Sequence, residues 1–399
     1  MGGAGWRGHG AVLLRGEAAD RGECARAIGG SQYTRGRERS RSVRRTRGRA
    51  GDLTVPLRLP GGRPGPARPV AVRAGTTVSG WLDVPDGIDP GTAIPLSVVR
   101  GRRPGPVLAL VAGTHGYEYT SILALQRLLP RLDPRRLRGA LILVHMANPP
   151  AFYGRRIYYG PDGKNLNRVY PGKADGTVSE RIAYVLTREV IDRATHLVDM
   201  HCGDANESLR PYAYWLVSGN ARVDRASREM ALAYGLDHIV IDRSRPKDPA
   251  RSGYTANTAI LRGKPGLTAE SGGVGRTDAE SVGAHEAGVQ SLLAQLGMME
   301  APSVRVAHPV WIEPSEVLRS PLAGVWHPAV AKMQSVAAGA LVGRITDPFG
   351  RLLHEARAPF AGEILYVVAT PPVSQGEPLA GIGRLVSERG ARAARRSVP

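Results

Sequence analysis

Apolar residues recur in two alternating patterns between residues 69 and 303. Short uninterrupted apolar runs are typical of buried β-strands, whereas longer segments with apolar residues three or four positions apart are typical of helices. The strand-like runs span residues 107–113, 140–150, 196–201, 238–241 and 266–273. The helix-like segments span residues 117–132, 179–191, 228–236 and 286–299. Strands that alternate with helices predict an α/β layer fold with a mostly parallel sheet.

The pattern changes after about residue 304, where short β-like runs are broken by Gly and Pro. This part contains a weak internal repeat. The repeated pairs are SPLAGV (320–325) with APFAGEI (358–364), and VAAGALVGRI (336–345) with VSQGEPLAGI (373–382). Two similar halves predict a small all-β domain with pseudo-twofold symmetry, which resembles the biotinyl/lipoyl half-barrel. The DPFG turn between the halves lacks the lysine that would carry such a cofactor, so we do not interpret the domain as a carrier.

Both ends of the chain differ from this body in composition. Residues 1–68 are rich in Gly, Arg, Ser and Pro with little periodicity, so they cannot bury enough apolar surface to offset the entropy of ordering. We therefore predict a disordered Arg/Gly-rich tail at 1–68 and a basic disordered tail at 386–399. The domains predicted between them are an α/β body at 69–303 and the β domain at 304–385.

The formal net charge of +19 is typical of proteins that bind nucleic acid. Residues 1–50 contribute +8 of this charge and residues 385–399 contribute +3, so more than half of it lies in the two tails. The body is only mildly basic, and we expect no nucleic-acid partner for it. A nucleic-acid-binding protein that acts through its Arg-rich tails stays open as the non-enzymatic alternative.

The two cysteines, Cys24 and Cys202, do not support a disulfide framework and favour a reducing compartment. No apolar run approaches the length of a membrane span, which needs about twenty residues. The N-terminus also lacks the pattern of a signal peptide. We expect a cytoplasmic protein without a membrane partner.

Residues with metal-binding chemistry follow two of the predicted strands, where ligands collect in open α/β sheets. GTHGYE (113–118) places His115 and Glu118 three residues apart at a strand-to-helix turn, and DMH (199–201) ends a later strand with His201. Two histidines and one glutamate suit zinc and leave a fourth position open for water, as in catalytic sites. Taken singly, the first motif could be a surface pair and His201 a buried structural histidine.

Two further motifs carry charged or amide groups. GLTAESGG (266–273) places Glu270 at a strand end, where a buried carboxylate is costly unless it is used, so Glu270 is our candidate general base. Arginine binds carboxylates as a bidentate fork. The loop 155–168 offers Arg155, Arg156, Asn165, Asn167 and Arg168. On its own this loop could equally be a solvated basic segment.

In their order along the chain, five motifs resemble the succinylglutamate desuccinylase/aspartoacylase family, a branch of the zinc carboxypeptidase superfamily. These motifs are GTHGYE, ANPPAF (147–152), DGKNLNRVYPG (162–172), DMHCG (199–203) and TAESGG (268–273). The resemblance covers roughly residues 95–385. It implies a zinc-carboxypeptidase-like mixed sheet flanked by helices, followed by a small C-terminal all-β domain.

The resemblance also implies a role for individual residues. His115, Glu118 and His201 match the ligands of one Zn²⁺ per chain, and Glu270 matches the general acid/base. Asn167 and Arg168 match the pair that binds the substrate carboxylate. Arg156 matches the residue that polarises the scissile carbonyl and stabilises the oxyanion, although the adjacent Arg155 leaves this register open.

Three positions leave the substrate site less defined. Asn165 stands where some relatives carry an aspartate that supports a ligating histidine, so the partner of that histidine is in doubt. Asp199 could serve such a supporting role or a structural one. Tyr254, in RSGYTAN, could contribute a phenol to the site or simply pack.

The resemblance implies a zinc-dependent hydrolase that uses a metal-activated water to cleave the amide bond of N-acyl amino acids or related small N-acyl compounds. We expect a small-molecule substrate with a carboxylate. The enzymatic alternative is a zinc carboxypeptidase acting on peptides, although the C-terminal β domain, which narrows access to the site in the family, favours the deacylase. A degenerate, metal-free binding module is a further alternative. The sequence leaves open the acyl group and whether the chain is a monomer or a homo-oligomer.

Overall fold

The computed structural model describes residues 53–61 and 67–387. Its strands are β1 (Leu53–Leu57), β2 (Arg68–Val72), β3 (Thr76–Val84), β4 (Thr92–Arg100), β5 (Arg103–Ala112), β6 (Arg138–Val144), β7 (His196–His201), β8 (Glu207–Leu209), β9 (Tyr212–Leu216), β10 (His238–Asp242), β11 (Gly266–Glu270), β12 (Val310–Arg319), β13 (Gly324–Pro328), β14 (Ser335–Val336), β15 (Leu341–Thr346), β16 (Leu352–Arg357), β17 (Gly362–Val368), β18 (Pro372–Val373) and β19 (Pro378–Val386). The α-helices are α1 (Tyr119–Leu128), α2 (Pro149–Tyr153), α3 (Val178–Leu186), α4 (Ala221–Tyr234), α5 (Thr255–Leu261) and α6 (Ala279–Gln295). Single turns of 3-10 helix span Leu129–Arg131, Leu166–Arg168 and Pro249–Arg251, and a π-helical turn at Thr187–Ile191 extends α3.

The main sheet has the strand order β14-β17-β19-β12-β10-β9-β11-β7-β5-β6-β4-β3, and β8 pairs with β17. Parallel pairs form two central blocks, β6-β5-β7-β11 and β9-β10-β12. The blocks meet at the antiparallel pair β11-β9, and the outer strands are antiparallel. The fold is therefore α/β with a mixed sheet, which confirms the predicted fold class. The alternation of strands and helices alone overstates the parallel share, because it misses the antiparallel outer strands.

Helices cover both faces of the central strands. On β5, Leu108 and Leu110 pack with α1, α4 and α6 in one apolar layer, while Ala109 and Val111 pack with α3 and α5 in the other. All four residues are fully buried. A strand covered on both faces has no polar side, which explains why β5 is a continuous apolar run and not an alternating one.

The C-terminal strands form a second apolar core around Trp326, Val342 and Ile364. The four-stranded sheet β16-β15-β13-β18 lies here together with the end of the main sheet. The short strand β14 of the first half pairs with β17 of the second half, and β18 of the second half pairs with β13 of the first. This reciprocal pairing matches the internal repeat. Strand β12 pairs with both β10 and β19, so the main sheet continues into this part; the domain boundary at 303/304 stays a prediction.

In the described part of the predicted N-terminal tail, residues Leu53–Leu57 form a strand. Strand β1 pairs antiparallel with β2, and Val55 and Leu57 are only 1% and 2% exposed. The prediction of disorder over 1–68 is wrong for Leu53–Leu57, because alternate apolar residues of this strand pack against Val72 and Leu82 in the core. The rest of both predicted tails lies mainly outside the described residues. No helix among the described residues is long and apolar enough to cross a membrane.

Candidate metal centre and active site

The three predicted metal ligands lie together at one edge of the main sheet. His115 and Glu118 stand between β5 and α1, and His201 is the last residue of β7. Strands β5 and β7 are parallel neighbours, with Ala112 opposite Met200, so their carboxyl ends meet. One donor atom from each of His115, Glu118 and His201 lies within 4.8 Å of the other two. The structure therefore brings His201 to two residues of one turn, Glu118 and His115, which lie 83 and 86 positions earlier in the chain.

The carboxylate of Glu118 is the centre of this cluster. Its Oε1 atom lies 2.7 Å from Nδ1 of His115 and 2.5 Å from Nδ1 of His201, and its Oε2 accepts a hydrogen bond from the His115 backbone N–H. Glu118 is 1% exposed. Burial opposes its ionisation, but the charges of His201 and His115 outweigh burial and hold the pKa of Glu118 below its usual value. The cluster therefore contains an ionised, water-excluded carboxylate.

Each histidine ring is oriented by an oxygen on its far side. His115 Nε2 donates to Asn165 Oδ1 at 3.1 Å, and His201 Nε2 lies 3.0 Å from Asp199 Oδ2. Asn165 is itself fixed, because the same Oδ1 accepts from the backbone N–H of Asn167 at the start of a 3-10 helix. A ring whose Nε2 proton is held in this way presents Nδ1 to an ion. Asn165 thus supports His115, and Asp199 supports His201.

The donor set fits a divalent metal ion such as zinc. Two imidazole nitrogens and one carboxylate oxygen are ligands that zinc accepts in catalytic sites. Asp204 adds a carboxylate whose Oδ2 lies 3.5 Å from His115 Nδ1 and whose buried Oδ1 has no hydrogen-bond partner in the described part of the chain. A buried carboxylate oxygen without a donor is costly, and a cation beside it would offset this cost.

Glu270 lies next to the cluster. It is the last residue of β11, directly opposite His201 of β7, and it lines the same cavity of about 320 Å³. Burial raises the pKa of Glu270 to about 8; the charge of His201 opposes this shift and that of Glu118 adds to it. A carboxyl group with a pKa near neutrality can both accept and donate a proton, as general acid/base chemistry requires.

The structure separates the residues predicted to bind the substrate carboxylate. Arg168 lines the cavity, and its guanidinium lies 4.4 Å from the ring centroid of Tyr254. Asn167 is buried behind His201, where its Oδ1 accepts from the Thr255 backbone N–H at 2.8 Å. Tyr254 does not line the cavity but packs against Arg168. Arg168 is thus the residue of this set that faces the cavity.

Arg155 and Arg156 lie in the loop between α2 and the 3-10 helix at Leu166–Arg168, and both are exposed. Arg155 has a positive φ of 49°. Arg156 lines a neighbouring cavity, to which Tyr158 and Tyr159 also belong. Neither arginine lines the cavity that contains Glu118 and Glu270, so the register between them remains a prediction.

Comparison with known proteins places the chain in a family. A model of the succinylglutamate desuccinylase/aspartoacylase catalytic domain matches residues 104–296. The N-alpha-acetyl-L-2,4-diaminobutyric acid deacetylase of Halomonas elongata is 31% identical over 307 residues, which cover 74% of this chain and 87% of that protein. The chain belongs to the succinylglutamate desuccinylase/aspartoacylase family. The family predicted from the five ordered motifs is thereby confirmed.

Solved structures of the succinylglutamate desuccinylase/aspartoacylase family share this fold. The ectoine utilization protein EutE (DoeB) of Ruegeria pomeroyi is 26% identical, with a TM-score of 0.70 over 78% of this chain and 97% of that chain. An aspartoacylase family protein of Mesorhizobium loti is also 26% identical, with a TM-score of 0.65 over 78% of this chain and 95% of that chain. A succinylglutamate desuccinylase of Silicibacter sp. TM1040, at 24% identity and a TM-score of 0.69 over 79% and 97%, supports the fold alone.

Several cavity residues of this family member are missing from the sequence-based prediction. Asp204 and Glu207 follow β7, and Tyr158 lies in the loop before the 3-10 helix at Leu166–Arg168. Arg319 of β12 and Tyr366 of β17 come from the C-terminal strands. Asp204 and Glu207 could have been predicted as cavity residues from the sequence, because they follow the candidate ligand His201 by only three and six positions. Nothing local marks Arg319 or Tyr366, since only the pairing of distant strands brings them to the cavity.

Proposed function

We propose that the protein is a zinc-dependent hydrolase that cleaves the amide bond of N-acyl amino acids or related small N-acyl compounds. The observation that carries this proposal is the convergence of both Nδ1 atoms on Glu118 with Glu270 beside them. The Halomonas elongata relative is a deacetylase of an N-acetylated amino acid, which supports the same reaction class. Its substrate is therefore the first compound to test.

In this proposal His115, Glu118 and His201 hold one zinc ion. Bound zinc supplies Lewis acidity, which lowers the pKa of a water molecule and polarises a carbonyl group. Glu270 accepts the proton of the attacking water and passes it to the leaving amine as the C–N bond breaks and a C–O bond forms. The products are a carboxylic acid and a free amino acid or amine.

Arg168 holds the substrate in position in this proposal. Its guanidinium faces the cavity, and among the described residues its only hydrogen bond is to the backbone oxygen of Asn167. A fork of N–H donors without a carboxylate partner is suited to bind the α-carboxylate of an N-acyl amino acid. Asn167 contributes indirectly, because it lies behind His201. Arg156 stays our prediction for the oxyanion, a role that requires it to reach the reacting carbonyl from the neighbouring cavity.

Peptide cleavage by a zinc carboxypeptidase is the second candidate. Val317, Arg319 and Tyr366 of the C-terminal strands line the cavity and leave less room for an extended peptide. This wall favours small substrates.

Metal analysis and a substrate panel test the proposal. We expect about one zinc per chain, turnover of N-acetyl or N-succinyl amino acids, and no turnover of short peptides. Glu270→Gln should abolish turnover while zinc remains bound, whereas Glu280→Gln, which changes an exposed glutamate in the first turn of α6, should leave both unchanged. Cleavage of peptides alone, or a chain that does not bind added zinc, would contradict the proposal.

A further inference from the structure

The cavity is lined by more carboxylates than arginines. The carboxylates are Glu118, Asp204, Glu207 and Glu270, and the cations besides histidine are Arg168 and Arg319. In the proposed function, Glu118 binds the metal ion and Glu270 transfers the proton. Asp204 contacts His115. Glu207 is the carboxylate that neither the metal centre nor the proton transfer uses.

Glu207 is held at the cavity wall by a strand and a phenol. It begins β8, opposite Val368 of β17, and its Oε1 accepts a hydrogen bond of 2.9 Å from the hydroxyl of Tyr158. The same hydroxyl lies 3.0 Å from Oδ1 of Asn206. Within the described part of the chain, no lysine or arginine forms an ion pair with Glu207. A carboxylate that lines a cavity without a counter-charge is a binding site for a cationic group.

The charge balance of the cavity also favours a substrate with a cationic group. With a divalent metal ion bound, which favours the ionised form of the carboxylates beside it, the ion and the two arginines would carry four positive charges against the four carboxylates. In a site balanced in this way, each carboxylate of a substrate adds a negative charge without a partner, so a substrate with two carboxylates adds two, which is costly in a desolvated site. A substrate that pairs a carboxylate with an ammonium group keeps the balance, since Arg168 faces the first and Glu207 the second.

We propose that this site selects N-acyl amino acids whose side chain carries a positive charge, and that Glu207 is the specificity-determining residue that binds this charge. The inference rests on the proposed function and adds the class of amino acid to it. Tyr158 is a positioning residue in this proposal, because its hydroxyl holds Oε1 of Glu207 and leaves Oε2 as the acceptor for the ligand.

Three matched substrates test the preference of the zinc-loaded wild type. N-α-acetyl-2,4-diaminobutyrate carries a side-chain ammonium, N-acetylnorvaline replaces it by a methyl group of similar size, and N-acetylglutamate carries a second carboxylate. A charge-assisted hydrogen bond in a buried site corresponds to about ten- to hundredfold in binding. We expect kcat/KM for the cationic substrate to exceed that for the neutral one by this factor, with the dicarboxylate slowest.

The variant Glu207→Gln assigns the preference to one residue. It keeps the size of the side chain and an acceptor for Tyr158 but removes the charge, so the ratio of kcat/KM between cationic and neutral substrate should fall about ten- to hundredfold. Calorimetric binding of the product 2,4-diaminobutyrate, compared with norvaline, should weaken by the same factor. Glu280→Gln removes the charge of an exposed glutamate that does not line the cavity. It should leave the ratio of kcat/KM and the ratio of product affinities at the wild-type value.

The outcomes separate this inference from the proposed function. A wild type that hydrolyses neither the three substrates nor their N-succinyl counterparts contradicts the proposed function. A wild type that hydrolyses neutral or dicarboxylate substrates as well as the cationic one, or a Glu207→Gln protein that keeps the wild-type ratio, overturns the inference and leaves the function standing. If Glu207→Gln does not fold, Glu207→Asp should lower the ratio severalfold by shortening the reach of the carboxylate, and an unchanged ratio would overturn the inference.

Discussion

The protonation of Glu270 is linked to folding, which makes it measurable without any substrate. Burial raises its pKa from 4.5 to about 8. A carboxyl group whose pKa rises on folding stabilises the folded state fully below its unfolded pKa, and this contribution is lost as the pH rises through the folded pKa. Since one pKa unit corresponds to about 1.4 kcal/mol, the zinc-free protein should lose about 5 kcal/mol of unfolding free energy through Glu270 between pH 4.5 and 8.

The variant Glu270→Gln removes this titration and nearly preserves the shape of the side chain. Urea unfolding of the zinc-free wild type and variant, measured at the same pH values, gives the difference in unfolding free energy. We expect this difference to shift in favour of the variant by about 1.4 kcal/mol per pH unit between about pH 5.5 and 7.5. Other titrating groups are shared by both proteins and largely cancel.

Two controls accompany this measurement. The exposed variant Glu280→Gln should show no such slope relative to the wild type. Saturating zinc should flatten the pH dependence of the difference in unfolding free energy between Glu270→Gln and the wild type. The reason is that a divalent cation beside the wild-type Glu270 carboxylate lowers its pKa. A difference between variant and wild type that stays constant with pH in the zinc-free proteins would refute the reasoning.

Three further substitutions test the support of the metal centre and the fold. In Gly116→Ala the new Cβ would lie 2.4 Å from the backbone oxygen of Ala151, so we expect a loss of about 1–3 kcal/mol by calorimetry and weaker zinc binding. Asn165→Ala removes the acceptor of His115 Nε2 and should weaken zinc binding about 10–100-fold in a competition titration, whereas Asn165→Asp should restore it. Arg181→Met removes a buried guanidinium that donates to several backbone oxygens and one aspartate; unfolding free energy should fall by about 3 kcal/mol with zinc affinity unchanged.

The clustering of the three candidate metal ligands was predictable because their placement depends on short-range signals. His115 and Glu118 share one turn, and His201 ends a strand whose apolar run is plain in the sequence. Parallel pairing then brings the strand ends together, a rule that holds for α/β sheets in general. The same reasoning placed Glu270 at the end of a neighbouring strand.

The remaining features depend on long-range pairing. Glu207 reaches the cavity because β8 pairs with β17, and Arg319 because β12 spans from the centre of the sheet to the C-terminal strands. The strand predicted over 140–150 ends earlier, because β6 stops at Val144. The Asn-Pro-Pro sequence at the end of that range is the start of helix α2, which the side chain of Asn148 caps. Periodicity alone does not distinguish the end of a strand from the cap of a helix that follows it within a few residues.

Strand β12 covers one side of β10, a strand whose five residues are all buried. Without β12, the backbone N–H and C=O groups on that side of β10 would have no partners, and an apolar strand with a free edge readily pairs with another chain. A protein shortened to end before residue 304 should therefore aggregate even though it keeps the three candidate metal ligands. We therefore expect the C-terminal segment to protect the central sheet from self-association, so that the two parts do not behave as exchangeable, independent modules.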